Sequence, residues 1–453
     1  MAAAVLAGAV LAGCGAGGGN GGGDKAPAPA QGSEKAPGTA SPSAAGVTVQ
    51  LTVPPAYAAD RGWQQTLSWM PQKYSSKPPV AVGARTDLVA YVTVTEDGYV
   101  TQARQASTGR ILFSGQPWQP PTSASEAGKH GYGGDSVELP SISTAYQDGR
   151  EYIVTWAHGI LDGDALNKGK EVVRLAVYPA DASGDAVAPL REIDVPVQTY
   201  GPNGSNEEEN LRVEDYGTGL QVHWSGPSPG SVAVDLATGT IDTCGDSCSK
   251  GRGQIKTGKG WLVKDFYGAF QVPGAWTSFE AIPPGASAKK GEVSMDGLYR
   301  STTRGHVFSS WHTPADKILS PLTAVHDATT GQLETSMPCE LKHDSAVTSP
   351  NGRFIADGTA AFDLQRRQGT CLSENEQRKK GVFVTAVTDA GTAYGTVGLD
   401  DTATAEADLA GGTGEPRLLP PGTVVPTWAL KDTGVFLTPG PTGGLLISTL
   451  QHK

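Results

Sequence analysis

Three short phrases bring a tryptophan close to a histidine: Thr155-Trp156-Ala157-His158, Val222-His223-Trp224 and Ser310-Trp311-His312. Imidazole titrates near neutral pH and both donates and accepts hydrogen bonds, while indole offers a wide apolar face with a single N–H donor. A face lined by such groups would hold a ligand by stacking and hydrogen bonding. Trp156, His158, His223, Trp224, Trp311 and His312 are therefore the candidate ligand-binding residues. Side chains alternate along an extended strand, so His158 shares a face with Trp156, whereas His223 and His312 lie opposite their neighbouring indoles. They are not copies of one ligand set. The competing reading is that these tryptophans, with Trp276 of Gly274-Ala275-Trp276, pack between structural units and that the histidines are satisfied edge residues.

Other spacings point to less. Gly226-Pro227-Ser228-Pro229-Gly230 spells G-x-S-x-G, but a nucleophile elbow needs an N–H on the residue after the serine, and Pro229 has none. Asp162-Gly163-Asp164 and Asn206-Glu207-Glu208-Glu209-Asn210 gather oxygen ligands without the spacing of a calcium loop, and they are expected to be solvated loops. Zinc needs a second close ligand pair, and no CxxC or HxxxH stands elsewhere, so no metal is expected. No Walker loop, HExxH or dinucleotide fingerprint occurs.

The cysteines speak of location. Leu11-Ala12-Gly13-Cys14 follows a short apolar stretch, Ala3 to Leu11, too brief for the roughly 20 residues that span a bilayer. The phrase resembles a lipobox, the recognition sequence of bacterial lipoproteins. That resemblance implies cleavage before Cys14, a signal peptide over residues 1–13, diacylglyceryl and palmitate-type acylation of Cys14, and a place on the outer face of the cell membrane. No Lys or Arg precedes the apolar run, which points to a start codon further upstream. Residues 14–46 are Gly, Ala, Pro and Ser with a few charges; with so little to bury they form a tether whose coil reaches roughly 30 Å. Four cysteines remain, an even number suited to an oxidising compartment. Cys244 with Cys248 and Cys339 with Cys371 is the preferred of three pairings.

These residues must be positioned by strands. Gly, Pro, Thr and Val are abundant, and no window carries a long 3.6-residue apolar period, so residues 47–453 read as short strands and many turns. The net charge of −11 falls on this part and argues against nucleic acid as a partner. One phrase recurs: Ser107-Thr108-Gly109, then Asp235-Leu236-Ala237-Thr238-Gly239, then Asp327-Ala328-Thr329-Thr330-Gly331. Asp and Thr side chains hydrogen-bond the turn backbone, and Gly takes the left-handed position. Gly239 and Gly331 stand 92 apart, and Gly109 and Gly239 stand 130 apart, which makes units of about 43–46 residues. Four-stranded units of that length are propeller blades. A second set of turns, at Gln147-Asp148-Gly149-Arg150, Ser349-Pro350-Asn351-Gly352-Arg353 and Thr388-Asp389-Ala390-Gly391, is expected at the other end of the hairpins.

The recurring phrase resembles the repeat of PQQ-like and WD40-like propellers, Ala-x-Asp-x-x-Thr-Gly with a closing Trp four residues later. Ala103, Thr108 and Gly109 match with Gln105 in the Asp place and Phe113 in the Trp place; Thr243 and Thr335 replace the Trp in the two later copies. No Cys-Cys pair is present for quinone chemistry, and no cofactor is expected. The chain is thus expected to be all-β, a propeller of seven or eight four-stranded blades, with Val47 to Val53 completing the last blade beside the C-terminal strands. The count is seven if 255–293 is an elaborated connection. The expected role is a monomeric, membrane-anchored binding or scaffolding module for a protein or cell-wall ligand; the alternative is a hydrolase or lyase acting at the central channel. Convergent titratable residues at the channel mouth would favour catalysis, and a smooth uncharged mouth with an aromatic patch would favour binding.

Overall fold

The computed structural model describes residues 49–453 except 72–76, 122–138, 164–165, 167–168, 200–210, 225–227, 245–254, 265–268, 287–297, 314–321, 342–345, 399–402 and 412–413. Cys14 and the tether lie outside the described residues, as do Cys248, the run 206–210 and Asp164.

Eight antiparallel sheets follow one another along the chain, and each is a blade. Blades 1 to 7 occupy residues 80–115, 141–196, 212–243, 255–277, 298–338, 346–371 and 382–418. Blade 8 combines Trp428–Ala429, Thr433–Pro439 and Leu445–His452 with an N-terminal strand, Tyr57–Leu67. The segment 255–277 is a complete four-stranded blade, which settles the count at eight. First strands of neighbouring blades touch between blades 1 and 2, 2 and 3, 5 and 6, 6 and 7, and 7 and 8, which places first strands at the centre and fourth strands at the rim. Among the described residues the helical content is one 3-10 turn, Ser278–Glu280, and no helix is long and apolar enough to cross a membrane.

Ring closure differs from the expectation. Val49 to Val53 forms no strand; the Gln64 amide bonds both backbone groups of Val49, the Val424 N–H donates to Thr52 O, and Leu51 and Val53 pack against Tyr57, Tyr394 and Phe436. The closing strand is Tyr57–Leu67, paired antiparallel with Leu445–His452. Its sequence, YAADRGWQQTL, hides the period of two because the register shifts between Tyr57 and Gly62. Such a bulge places extra residues on one strand and spoils the alternation. Gly62 is required there, since a Cβ would lie 1.9 Å from Thr449 O.

The core lies in the seams between blades. Trp63, Leu67, Tyr91 and Ile447 fill the seam of blades 8 and 1, and Val154, Leu175, Leu220 and Val222 fill that of blades 2 and 3. Strands buried on both faces read as apolar runs, as in Leu88-Val89-Ala90-Tyr91-Val92, all five fully buried. Fourth-strand side chains then seat on glycines of the next blade. A Cβ at Gly109 would lie 2.6 Å from Trp63, at Gly331 2.4 Å from Trp276, at Gly369 2.5 Å from Met337 and at Gly414 2.1 Å from Thr370. Trp63 and Trp276 add indole N–H bonds to Ala106 O and Thr329 O, at 2.7 and 3.1 Å. Between blades 1 and 2 the seam is closed differently: Gly184–Val187 adds a fifth, parallel strand to blade 1, and Phe113 stacks on Tyr178. Cys339 and Cys371 form a disulfide with a Cα–Cα distance of 5.4 Å, tying the rims of blades 5 and 6.

Candidate functional site

The recurring turn phrase behaves as its chemistry requires. Asp235 Oδ1 accepts the N–H groups of Ala237 and Thr238, both at 2.9 Å, and Asp327 Oδ1 accepts those of Thr329 and Thr330 at 3.0 and 2.6 Å. Gly239 and Gly331 follow with φ of 81° and 73°. Each phrase joins the third and fourth strands of its blade. The other turn set joins first and second strands, and it lies at the same end, not the opposite one. Ala106 N–H donates to Asp87 O, Ala328 N–H to Gly305 O, Leu364 N–H to Arg353 O and Leu409 N–H to Gly391 O. The reason is geometric: in a four-stranded meander the first and third turns share an end. All these turns form one face of the ring.

On that face, the inner turns meet around Arg304. Its backbone sits at φ 39°, and its Nη1 donates to Ser349 O and Pro350 O of blade 6 at 3.3 and 3.1 Å. The following residue, Gly305, donates its N–H to Tyr216 O of blade 3 at 2.7 Å, so the turn of blade 3 reaches past blade 4 to blade 5. The charge of Arg304 interacts with those of Glu151, Arg85, Asp215 and Asp389, from blades 2, 1, 3 and 7; burial draws its pKa down. Each carboxylate is already held. Glu151 accepts the N–H and Oγ–H of Thr86 at 3.0 and 2.6 Å. Asp215 accepts the N–H of Tyr146 on one oxygen and those of Gly217 and Gly219 on the other. Asp389 accepts the Asn351 N–H at 2.8 Å, and the Arg85 guanidinium lies 3.4 Å from the Tyr146 ring centroid. The mouth is therefore charged, and its carboxylates cross-link blades. Of the two forms expected from sequence it has the convergent titratable residues of the first, with the carboxylates committed to hydrogen bonds within the scaffold.

The sequence-predicted ligand residues do not gather at one mouth. Trp156, His158, Trp224 and Trp311 lie near the far ends of second strands, away from the turn face, and His223 stands beside Trp224. Trp156 and Trp224 pack against the shared core of blades 2 and 3, while Trp311 is fully buried in a separate cluster with Leu322 and Ala324. His158 is fully buried, its Nε2–H donating to Glu171 Oε1 at 2.9 Å, and Thr199 donates to the same oxygen through N and Oγ1. Burial alone would raise the Glu171 pKa, but the hydrogen bonds from His158 and Thr199 outweigh it and hold the carboxyl below its usual range. His223 Nδ1 faces Ser231 Oγ at 2.7 Å, and burial lowers its pKa to about 4. His312 is half-buried just beyond the strand His306–Trp311. Trp276 stands on the fourth strand of blade 4 as a seam residue.

His326 was missed. Its Nε2–H donates to Ala281 O at 2.9 Å, which leaves Nδ1 to accept from Ser309 Oγ at 3.3 Å, and that oxygen accepts the Trp311 N–H at 2.8 Å. Its only sequence signal is its place before Asp327 in a turn phrase. Cys244 is disulfide-bonded.

No protein-family model and no curated protein matches the chain. Solved structures do. The Dos1 propeller aligns at TM-score 0.42 and 9% identity, covering 86% of this chain and 94% of its own. BamB from Moraxella catarrhalis aligns at 0.29 and 10%, covering 82% and 84%. The WD40 domain of Toxoplasma gondii coronin aligns at 0.33 and 12%, covering 89% of each. At such values the reading of function rests on this chain's own residues.

Proposed function

We propose that the chain is a lipid-anchored, extracytoplasmic propeller that binds a partner protein on its turn face and so acts as a scaffold at the membrane. The observation that carries the reading is the cross-linking of inner turns around Arg304. Turns from blades 1, 2, 3, 5, 6 and 7 enter one network of charge interactions and hydrogen bonds. A surface whose backbone is already ordered loses little entropy when a partner docks. The Leu11-Ala12-Gly13-Cys14 phrase and the Gly/Pro-rich run after it support an anchor with a short leash.

Intact cells test both halves. A photo-crosslinking p-benzoylphenylalanine placed at exposed Asp148 or Asp432, on the turn face, is expected to capture a discrete partner; the same group at Thr442, on the opposite face, is not. Equal capture from both faces, or none from the turn face, overturns the scaffold reading. Cys14→Ser is expected to move the chain from the membrane fraction to the soluble one, and an unmoved variant overturns the anchor.

A further inference from the structure

Among the described residues, the seam of blades 3 and 4 lacks the side-chain-on-glycine packing found between blades 8 and 1, 4 and 5, 5 and 6, and 6 and 7. Where blade 4 follows blade 3, the turn glycine Gly274 has nothing within 4 Å of a Cβ, and Thr243 stands on the fourth strand of blade 3 in the place of the repeat's closing Trp. Among the described residues this seam holds the smallest apolar cluster, Cys244 and Val263 with Trp261 against them. It is closed by polar bonds near the axis instead. Gln221 bonds both backbone groups of Lys256, at 3.0 and 2.8 Å, and Thr218 Oγ1 donates to Lys256 O.

Further out the seam opens into a groove of about 430 Å³ on the turn face. That is within the size range of small-molecule sites. Its polar lining is Gln147, Thr218, Thr238, Thr240, Asp242 and Lys256 beside the Asp235 turn, with Ala233 and Val234 as the apolar contribution. Lys256 Nζ is paired with Asp242 Oδ2 at 2.7 Å and lies 5.4 Å from the Trp261 ring. The Asp235 carboxylate is held ionised by the Thr238 and Ala237 N–H groups, so the lining carries a formal excess of one negative charge.

We infer that this groove is a binding site for a neutral, polyhydroxylated ligand, an oligosaccharide. Hydroxyls, an amide and carboxylates offer both donors and acceptors to sugar hydroxyls, which need both. The negative excess repels phosphates and polyanions. Two small apolar side chains give too little area to hold an apolar ligand. The inference rests on the binding reading above and names a ligand class for a second part of the same face.

The experiment is calorimetric titration of the full chain with two neutral probes, the N-acetylglucosamine tetramer and maltotetraose, which separate a cell-wall-type glycan from a storage-type glucan. Saturable binding of at least one is expected, lost in Thr240→Trp, which fills the groove, and weakened about fivefold or more in Lys256→Met. Lys256→Met keeps a side chain of similar length and removes the charged donor, so it reports even if Thr240→Trp misfolds. Binding of neither probe, or equal binding in wild type and Lys256→Met, overturns the site. Protein capture from Asp148 with no saccharide binding sinks this inference alone; saccharide binding with no capture sinks the scaffold alone.

Discussion

Arg304 combines a left-handed backbone with a guanidinium that ties two carbonyls of the neighbouring blade. Arg304→Ala should therefore cost about 1–3 kcal/mol, since it leaves Ser349 O and Pro350 O short of a charged donor. Arg304→Gly should cost about 0.5–1 kcal/mol less, because glycine removes the backbone penalty and nothing else. Urea unfolding of the two variants checks the order; a more stable Ala variant would contradict it. The buried histidines set an acid response. Burial holds His223 and His326 at about 4 in the folded state, against the usual 6.5. A depressed histidine pKa means that the unfolded chain binds more protons, so stability is full above about 6.5 and falls as the pH drops towards 4. The loss reaches about 3 kcal/mol per histidine. Melting temperature against pH should fall over that window and flatten in His326→Gln; an unchanged slope would count against it. None of this was legible in the phrase Val325-His326-Asp327, because the partners of His326, Ser309 and Ala281, arrive from distant strands and loops.

Strands and turns were far easier to read than the contacts between them. Asp and Gly at fixed offsets in Asp235 to Gly239 force a local turn whatever surrounds it, and the hydrogen bonds stay within five residues. The apolar run Leu88 to Val92 likewise announces a strand buried on both faces. The closing strand was not legible, since Asp60-Arg61-Gly62 reads as a turn and becomes a bulge only beside Thr449 and Leu450. The missing repeat tryptophans are another instance. Trp63 and Trp276 perform the seam contact from places that the repeat pattern does not mark. Each fills a slot against a turn glycine and makes one indole N–H hydrogen bond, so Trp63→Ala or Trp276→Ala should cost about 3–5 kcal/mol by thermal or urea unfolding. Gly331→Ala, which drives a Cβ into Trp276, should destabilise too, and a neutral result would mean that the indole does not sit there.

At the level of the whole ring, a propeller of seven or eight blades was recoverable from the turn spacing, although the 130 residues from Gly109 to Gly239, read as three units, span only two blades. The mouth was not, because Arg304, Glu151, Asp215 and Asp389 come from four blades and meet only once the circle is closed. The Cys339–Cys371 bond spans a sequence separation of 32 and joins two rims, so reducing it should lower stability by about 2–4 kcal/mol. Chemical unfolding with and without reductant measures this, with Cys371→Ser as the matched control.

Because the outermost strand of blade 8, Tyr57–Leu67, precedes all the other blades and the three strands inside it follow them, Trp63 finds Thr449 only after almost the whole ring has been made. Contacts so distant in sequence form slowly, since a very long loop must close before they yield anything. No nascent fragment of this molecule can become a finished ring, and a product cut short by even its final strand is left with two raw sheet edges for proteases and aggregation to find.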